Sequence, residues 1–374
     1  PMQRYVFLTM VVGDGYGGLE HRASTALLVS RKDLPYVGMK DMPEGYVSLL
    51  GLFSHEYFHS WNVKRIKPAA FTPYRLEVEN YTRLLWLFEG FTSYYDDLCL
   101  LRSGVIDTAQ YLRLVAKNIS TVLRGSGRLK QSVAESSFDA WTKYYRQDEN
   151  APNAIVSYYT KGSLIALALD LKLRSLGSGT VSLDDLMRRL WQAHGLSGRG
   201  VGEEEIFEHI AAVAEHAQAG AGSETANWLR ALVEGTEDVP LATLLPQFGI
   251  AYTAKVEGSV PWLGLKHATR GVDVAVAQVL DGGPAQAAGV SAGDVLVALD
   301  GLRVAPGSLD AQLGRYPVGA QVMLHVFRRD ELMQFSLTLA AAPQNKVELS
   351  ECEDGLSPAT QQRRSAWLSG QSSS

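Results

Sequence analysis

Cysteine is nearly absent from these 374 residues: only Cys99 and Cys352 occur, the first in an apolar stretch and the second in a polar one. Two thiols so placed do not make a disulfide framework, and they leave the redox compartment open. No basic block stands out, and the net charge is −5. That balance offers no footing to nucleic acid or to an anionic membrane. No uninterrupted apolar run is long enough to span a bilayer. Apolar residues make up 46% of the chain, ample for a buried core and for two or three domains.

Residues 52–62 read LFSHEYFHSWN and contain H-E-x-x-H: His55, Glu56 and His59. No Gly or Pro interrupts residues 52–67 and Pro68 follows as a stop signal, so the pattern predicts a helix. On a helix the two histidines lie one turn apart on one face. They can then reach one tetrahedral Zn²⁺, and the Glu56 carboxylate can meet a metal-bound water. Five residues alone also suit a helix whose histidines merely pack or face solvent, so a third ligand matters. Residues 84–101, LLWLFEGFTSYYDDLCLL, predict a second apolar helix with Glu89 among Trp86, Leu87, Phe88 and Phe91. A buried carboxylate needs a partner, and a metal is one. Two His and one Glu with an open fourth position is a catalytic zinc pattern. Glu77 and Glu79 compete for the third place, but RLEVEN alternates like an exposed strand or loop.

HEYFHSWNVKRIKP followed by LWLFEGFTSYY resembles the M61 metallopeptidases, the glycyl aminopeptidases of the gluzincin group. Gly17-Gly18-Leu19-Glu20-His21 is similar to the exopeptidase motif of related aminopeptidases, which implies that Glu20 holds the substrate's α-amine; His21 receives no role. Tyr159-Thr160-Lys161-Gly162 is similar to the segment whose tyrosine assists the tetrahedral intermediate, which points to Tyr159, with Tyr158 second. The motifs fall in the family's order over residues 5–170. The gap from His59 to Glu89 is longer than in thermolysin-like enzymes, so the third ligand rests on motif context. The resemblance implies one Zn²⁺ held by His55, His59 and Glu89, with Glu56 as general base and a preference for N-terminal glycine or alanine. It also implies a β-rich domain ahead of residue 1, so the expectation is a piece of a longer soluble protein, cytoplasmic or periplasmic. Asp96 or Asp97 could hydrogen-bond a ligating imidazole from behind, although both read more readily as surface carboxylates.

The expected fold is α+β and multidomain: a thermolysin-like, mainly helical zinc peptidase domain (1–235), then a β-rich PDZ domain with its linker (236–345), then a disordered Ser/Gln-rich tail (346–374). Residues 4–12 predict a strand, 13–25 a Gly-rich turn and 25–30 a second strand. Helices are expected over 108–123, 154–176, 183–194 with Ser182 as cap, and 202–216, and 132–152 forms a polar, aromatic loop walling the cleft. Short β-like runs follow at 251–256, 272–279, 295–299, 322–327 and 335–339. Trp262-Leu263-Gly264-Leu265 resembles a PDZ carboxylate-binding loop, and residues 282–301 resemble that domain's central segment. Such a loop (Leu263, Gly264, Leu265) would take a peptide C-terminus, with the peptide added to the sheet edge beside a groove helix at 308–316. Two other functions fit the same chain: an endopeptidase with the same zinc, favoured if Glu20 lies far from the metal, and a silent scaffold in which only the PDZ domain acts.

Overall fold

The computed structural model describes residues 2–256, 258, 260–352 and 354–370. The chain opens with strands β1 (Val6–Val12), β2 (Tyr16–Glu20) and β3 (Ser24–Ser30), in spatial order β1-β3-β2. The expected Gly-rich turn is thus largely a strand: β2 pairs antiparallel with β3 and forms the sheet's edge. Leu27 and Val29 on β3 pack against Leu49 and Leu52 of helix α1 (Glu44–Phe58).

Helices α2 (Leu85–Phe88), α3 (Gly90–Arg102), α4 (Thr108–Arg124), α5 (Val133–Phe138), α6 (Ala151–Ala154), α7 (Thr160–Leu176), α8 (Leu183–Leu190), α9 (Glu205–Ala217), α10 (Gly222–Glu234) and α11 (Leu241–Leu244) build the main body. Capping boxes start three of them: Asp107 with Gln110, Ser132 with Glu135 and Ser182 with Asp185. Helix α7 is buried on every side, as an all-round apolar helix must be, and forms the axis of the core.

Three expected helices are shorter than their patterns. The first ends at Phe58 with His59 as its cap, not near residue 67. The run 84–101 breaks at Glu89 into α2 and α3. The run from 154 breaks at Ile155, whose neighbour Val156 gives its N–H to the Gln131 side chain and its carbonyl to Ser136 Oγ. In each case a tertiary hydrogen bond or cap replaces the next helical turn.

The segment expected to be a PDZ domain has its own core and sheet: β5 (Leu265–Arg270), β6 (Asp273–Val279), β7 (Val295–Leu299), β9 (Gln321–Arg328) and β10 (Glu331–Thr338), in order β10-β9-β7-β6-β5. Short β8 (Leu302–Arg303) pairs with β7, α12 (Pro284–Ala288) follows the carboxylate-loop region, and α13 (Leu309–Leu313) occupies the expected groove-helix position. The strand expected at 251–256 is not part of this sheet. As β4 (Ile250–Lys255) it pairs with β11 (Lys346–Glu351), which packs on α4.

The domain order therefore needs correction. The expected PDZ segment is inserted between two paired strands of the helical body, and the chain returns to that body afterwards. The expected disordered tail is β11 followed by helix α14 (Pro358–Ser369); residues 371–374 lie outside the described ones. Composition misled because a few apolar residues carry the docking. Trp367 is fully buried in the core of the helical body and donates from Nε1 to the Tyr94 hydroxyl at 3.1 Å. Arg174 donates to the Ala366 carbonyl at 2.8 Å. Among the described residues no helix is long and apolar enough to cross a membrane.

Emptying the Trp367 site should cost the helical body about 3–5 kcal/mol, the usual toll of a buried Trp→Ala cavity. Trp367→Ala should thus lower the Tm by several degrees, read by calorimetry. An unchanged Tm would mean that the C-terminal helix does not dock.

Candidate active site

The break at Glu89 aims the site. Asn62, buried just beyond α1, donates from its amide to the Leu87 and Phe88 carbonyls and to Thr92 Oγ1, at 3.2–3.3 Å. These bonds take carbonyls at the end of α2 and turn Glu89 toward α1. Close backbone approach fixes the other side. A Cβ on Gly90 would lie 2.6 Å from Gly162 Cα, so the glycine after Glu89 and the glycine of Tyr-x-Lys-Gly let α3 and α7 meet backbone to backbone.

His55 Nε2 and His59 Nε2 lie 3.3 and 3.2 Å from the same oxygen, Glu89 Oε2. That oxygen is buried and accepts no well-formed hydrogen bond. The other ring nitrogens are committed: His55 Nδ1 faces Asp96 Oδ2 at 2.9 Å, and His59 Nδ1 faces the Asn62 carbonyl at 2.8 Å. An ionised carboxylate and a carbonyl can only accept, so both Nδ1 atoms carry protons and both Nε2 lone pairs converge on Glu89 when the rings are neutral. His55, His59 and Glu89 form one of the groups whose ligand atoms lie close enough for a single ion.

The electrostatics agree. Burial pulls His55 down, yet Asp96 and Glu89 outweigh it and push its pKa up to about 10. Burial likewise opposes a rise at His59, which Glu89 produces. Burial would raise Glu89, but the imidazoles, His59 first, hold it below the usual carboxylate range. The site is organised around a positive charge.

Glu56 points toward the sheet, buried, with Thr25 Oγ1 at 3.4 Å from Oε2. Gly18 on edge strand β2 makes the room, since a Cβ there would fall 2.1 Å from Glu56 Oε1. Burial raises the Glu56 pKa, partly offset by the two histidines. Glu20, at the end of β2, forms a close group with Glu56 and His59 and pairs with Lys64 Nζ at 2.9 Å.

Tyr159 stands at the N-terminal cap of α7, its ring 6.2 Å from that of His55. Burial and then the Glu89 charge raise its hydroxyl pKa, so it stays a donor. Tyr158 lies behind it, fully buried and stacked on it. Two contacts escaped the sequence reading. Asp96 is a partner of His55 rather than a surface carboxylate, whereas Asp97 gives its N–H to Asp96 at 2.6 Å. Tyr145, from the loop expected to wall the cleft, hydrogen-bonds the Tyr159 hydroxyl at 2.9 Å. Nothing in the tyrosine-rich loop singles out Tyr145, and the sequence allows Asp96 behind a ligating imidazole without choosing it over a surface position. Glu77 and Glu79 lie on the exposed loop before α2 and do not enter the site.

A second close group, His194, Glu205 and His209, differs in kind. Arg189 Nε donates to His209 Nδ1 at 3.0 Å, so the His209 proton sits on Nε2 and bonds His194 Nε2 at 2.9 Å. His194 Nδ1 then donates to the Arg199 carbonyl at 3.1 Å, and Arg199 pairs with Glu205. Every ring nitrogen is used, so no lone pairs converge on an ion.

In the PDZ domain, Leu263 and Gly264 are buried, Leu265 opens β5, and β5 forms one edge of its sheet with residues 266–270 exposed. That is the placement a strand-adding peptide needs.

Residues 48–165 match the family model described as M61 glycyl aminopeptidase, and residues 253–339 match a PDZ domain model. A crystal structure of an aminopeptidase N family protein from Idiomarina loihiensis is 41% identical, covers 98% of this chain and superposes with a TM-score of 0.90. This chain spans 62% of that protein's length. The periplasmic serine endoprotease DegP of Escherichia coli (strain K12) is 35% identical over 82 residues, 22% of this chain and 17% of DegP. The DegP of Salmonella typhimurium is 33% identical over 82 residues, with the same shares covered.

Asp96→Asn keeps the shape but weakens the acceptor behind His55, and such outer partners typically carry 10–100-fold in metal affinity. Metal affinity, measured by chelator competition, should fall by roughly that factor; an unchanged affinity would make Asp96 a bystander. Lys161 offers a pH test. Burial lowers its pKa from 10.5 to about 8, against the pull of Asp238. Between those values the unfolded chain holds a proton that the folded chain lacks, so stability rises with pH across that window. Wild type should therefore gain stability over Lys161→Met between about pH 8 and 10.5 in parallel denaturant titrations. A pH-independent difference would refute the burial account.

Proposed function

From the premise that this chain carries an M61 glycyl aminopeptidase domain interrupted downstream by a PDZ domain, we propose that it is a zinc-dependent aminopeptidase that removes an N-terminal glycine or alanine from peptides. The observation that carries the reading is the Glu89 oxygen, buried without a hydrogen bond between two imidazoles whose lone pairs converge on it. Three such donors suit Zn²⁺ and leave a fourth position for substrate or water. His55, His59 and Glu89 would hold the ion. When bound there, zinc acidifies a water and polarises the scissile carbonyl.

The side chains supply the rest. Glu56 takes a proton from the attacking water and passes it to the leaving amine; burial raises its pKa, which strengthens it as a base. Tyr159 donates its hydroxyl to the developing oxyanion, held in place by Tyr145. Glu20 receives the substrate's α-ammonium at the end of β2, which confines cleavage to the first residue. Its place beside Glu56 and His59 supports the aminopeptidase over the endopeptidase reading. One observation favours the endopeptidase: Lys64 already neutralises Glu20. The glycine and alanine preference follows from the family resemblance. The β5 edge and its loop, Leu263 to Leu265, would take a peptide C-terminus, as the PDZ match suggests.

The test is zinc content together with hydrolysis of glycyl-p-nitroanilide. Wild type should bind one zinc and turn over, and Glu56→Gln should keep the zinc and lose nearly all activity. Tyr159→Phe should lose on the order of 10²-fold in kcat. An N-acetylated substrate should resist cleavage; if it is cut, the endopeptidase reading stands instead. A protein without zinc would end both.

A further inference from the structure

The catalytic cavity does not end at the catalytic side chains. A space of about 210 Å³ beside them is lined by Tyr16, Asp96 and Tyr159, and also by Ser48, Leu114 and Lys117. Those last three side chains line a second, larger groove of about 600 Å³ between α1, α4 and β11. The two spaces meet there, and the larger one is of a size that holds several ligand residues.

The direction of a bound peptide follows from edge strand β2. Glu20 at one end belongs with Glu56 and His59, whereas Tyr16 at the other end lines the cavity. A peptide whose amine sits at Glu20 passes the catalytic residues and leaves past Tyr16. Its downstream residues then enter the groove. This step rests on the aminopeptidase reading, because Glu20 sets the direction.

The groove is basic although the chain is acidic overall, with a net charge of −5. Arg113, Lys117, Arg124 and Lys346 line it, against Glu44 and Glu348. Glu348 is already paired with Lys255 and Lys346. Arg113, Lys117 and Arg124 recur at helical spacing on one face of α4, and like charges at four-residue spacing repel. Arg113 and Lys117 are exposed, and neither has a hydrogen bond or ion pair among the described residues. Lys117 feels the Asp97 carboxylate through space, but Arg113 has no acidic partner among the described residues, so the face keeps positive charge to offer an anion.

We propose that this groove receives the substrate downstream of the scissile bond and selects carboxylates there, either acidic side chains or a nearby C-terminus. A cationic helix face that is merely solvated would show no such selection.

Zinc-loaded full chain would be assayed on Gly-Ala peptides continuing with Asp, Asn or Lys residues, each ending in an acid or an amide, with glycyl-p-nitroanilide as a substrate that has no downstream peptide. Each exposed ion pair adds up to a few-fold, so kcat/KM for the Asp over the Lys series should be about tenfold at low salt and shrink as salt rises. In R113Q/K117Q the ratio should fall toward one. A preference following Asp over Asn assigns side chains, and one following acid over amide assigns the C-terminus. A wild-type ratio near one, with glycyl-p-nitroanilide still hydrolysed, overturns the groove and spares the aminopeptidase. If nothing is hydrolysed, that reading fails, and the same peptides, labelled on a side chain, are compared by fluorescence anisotropy. A binding ratio near one overturns the groove there too, and a salt-sensitive preference lost in R113Q/K117Q upholds it.

Discussion

One oxygen, Glu89 Oε2, sets the terms for the rest of the peptidase body. A buried acceptor without a hydrogen bond costs on the order of 1–3 kcal/mol, and here two imidazole nitrogens press toward it at 3.2–3.3 Å. Neutral rings would add their own lone pairs to that of the carboxylate, so three acceptors would face one another. Only a cation, or protons borrowed by the histidines, relieves the conflict. The raised histidine pKa values and the depressed Glu89 pKa express that strain in titration. Flipping a ring would not remove it without cost, because Asp96 and the Asn62 carbonyl hold the far side of each ring.

Holding three acceptors in conflict takes a rigid frame, and the frame is built from close approaches and closed hydrogen-bond circuits. Gly90 and Gly162 bring the Glu89 segment and the Tyr159 segment into backbone contact. A second circuit stiffens the same helices. Tyr94 on α3 donates to Asp170 on α7 at 2.6 Å, Asp170 pairs with Arg174, and Arg174 reaches the Ala366 carbonyl. Trp367 closes the ring by donating back to Tyr94. A buried ion pair is weak evidence for stability when its remaining donors and acceptors are unmet. Here they are largely met across three elements, α3, α7 and the C-terminal helix, so the charges act as fasteners. Asp96 stands two residues after Tyr94 on α3, and the circuit therefore supports the group behind His55.

Local chemistry was legible in the sequence wherever it was carried by spacing. His55, Glu56, His59 and Glu89 could be read together because H-E-x-x-H lies within one turn and because a carboxylate among Trp86, Phe88 and Phe91 needs a partner. The capping signal at Ser182 was legible for the same reason, and the PDZ segment 282–301 through its resemblance to that family. Helix ends were not. Nothing near residue 58 says that Asn62 will take the Leu87 and Phe88 carbonyls, and nothing near 155 says that Gln131 will claim the N–H of Val156. Such bonds join residues about 25 positions apart, and local pattern is blind to them. The C-terminal segment misled through composition, since polar average content hid Val347 and Trp367, both buried.

The insertion of the PDZ domain follows from strand geometry. In the antiparallel pair β4–β11, Lys255 lies opposite Lys346, so the chain leaves and re-enters the peptidase body at adjacent points. A folded unit whose ends lie close together can be spliced there without stretching either partner. The same geometry leaves the unit free to swing, and a second set of contacts limits this. Asn153, buried in the peptidase body, donates to the Val279 carbonyl at 2.7 Å and accepts from the Asp281 N–H at 3.0 Å. Ser126 and Lys130 both bind the Asp281 carboxylate. Burying an amide is tolerable only when its donor and acceptor are both satisfied, and for Asn153 each is met by the inserted domain. Asn153 therefore ties the two together: its amide also meets Asn150 and Ser126 within the body, so one side chain six residues before Tyr159 bonds both the body and the domain it carries.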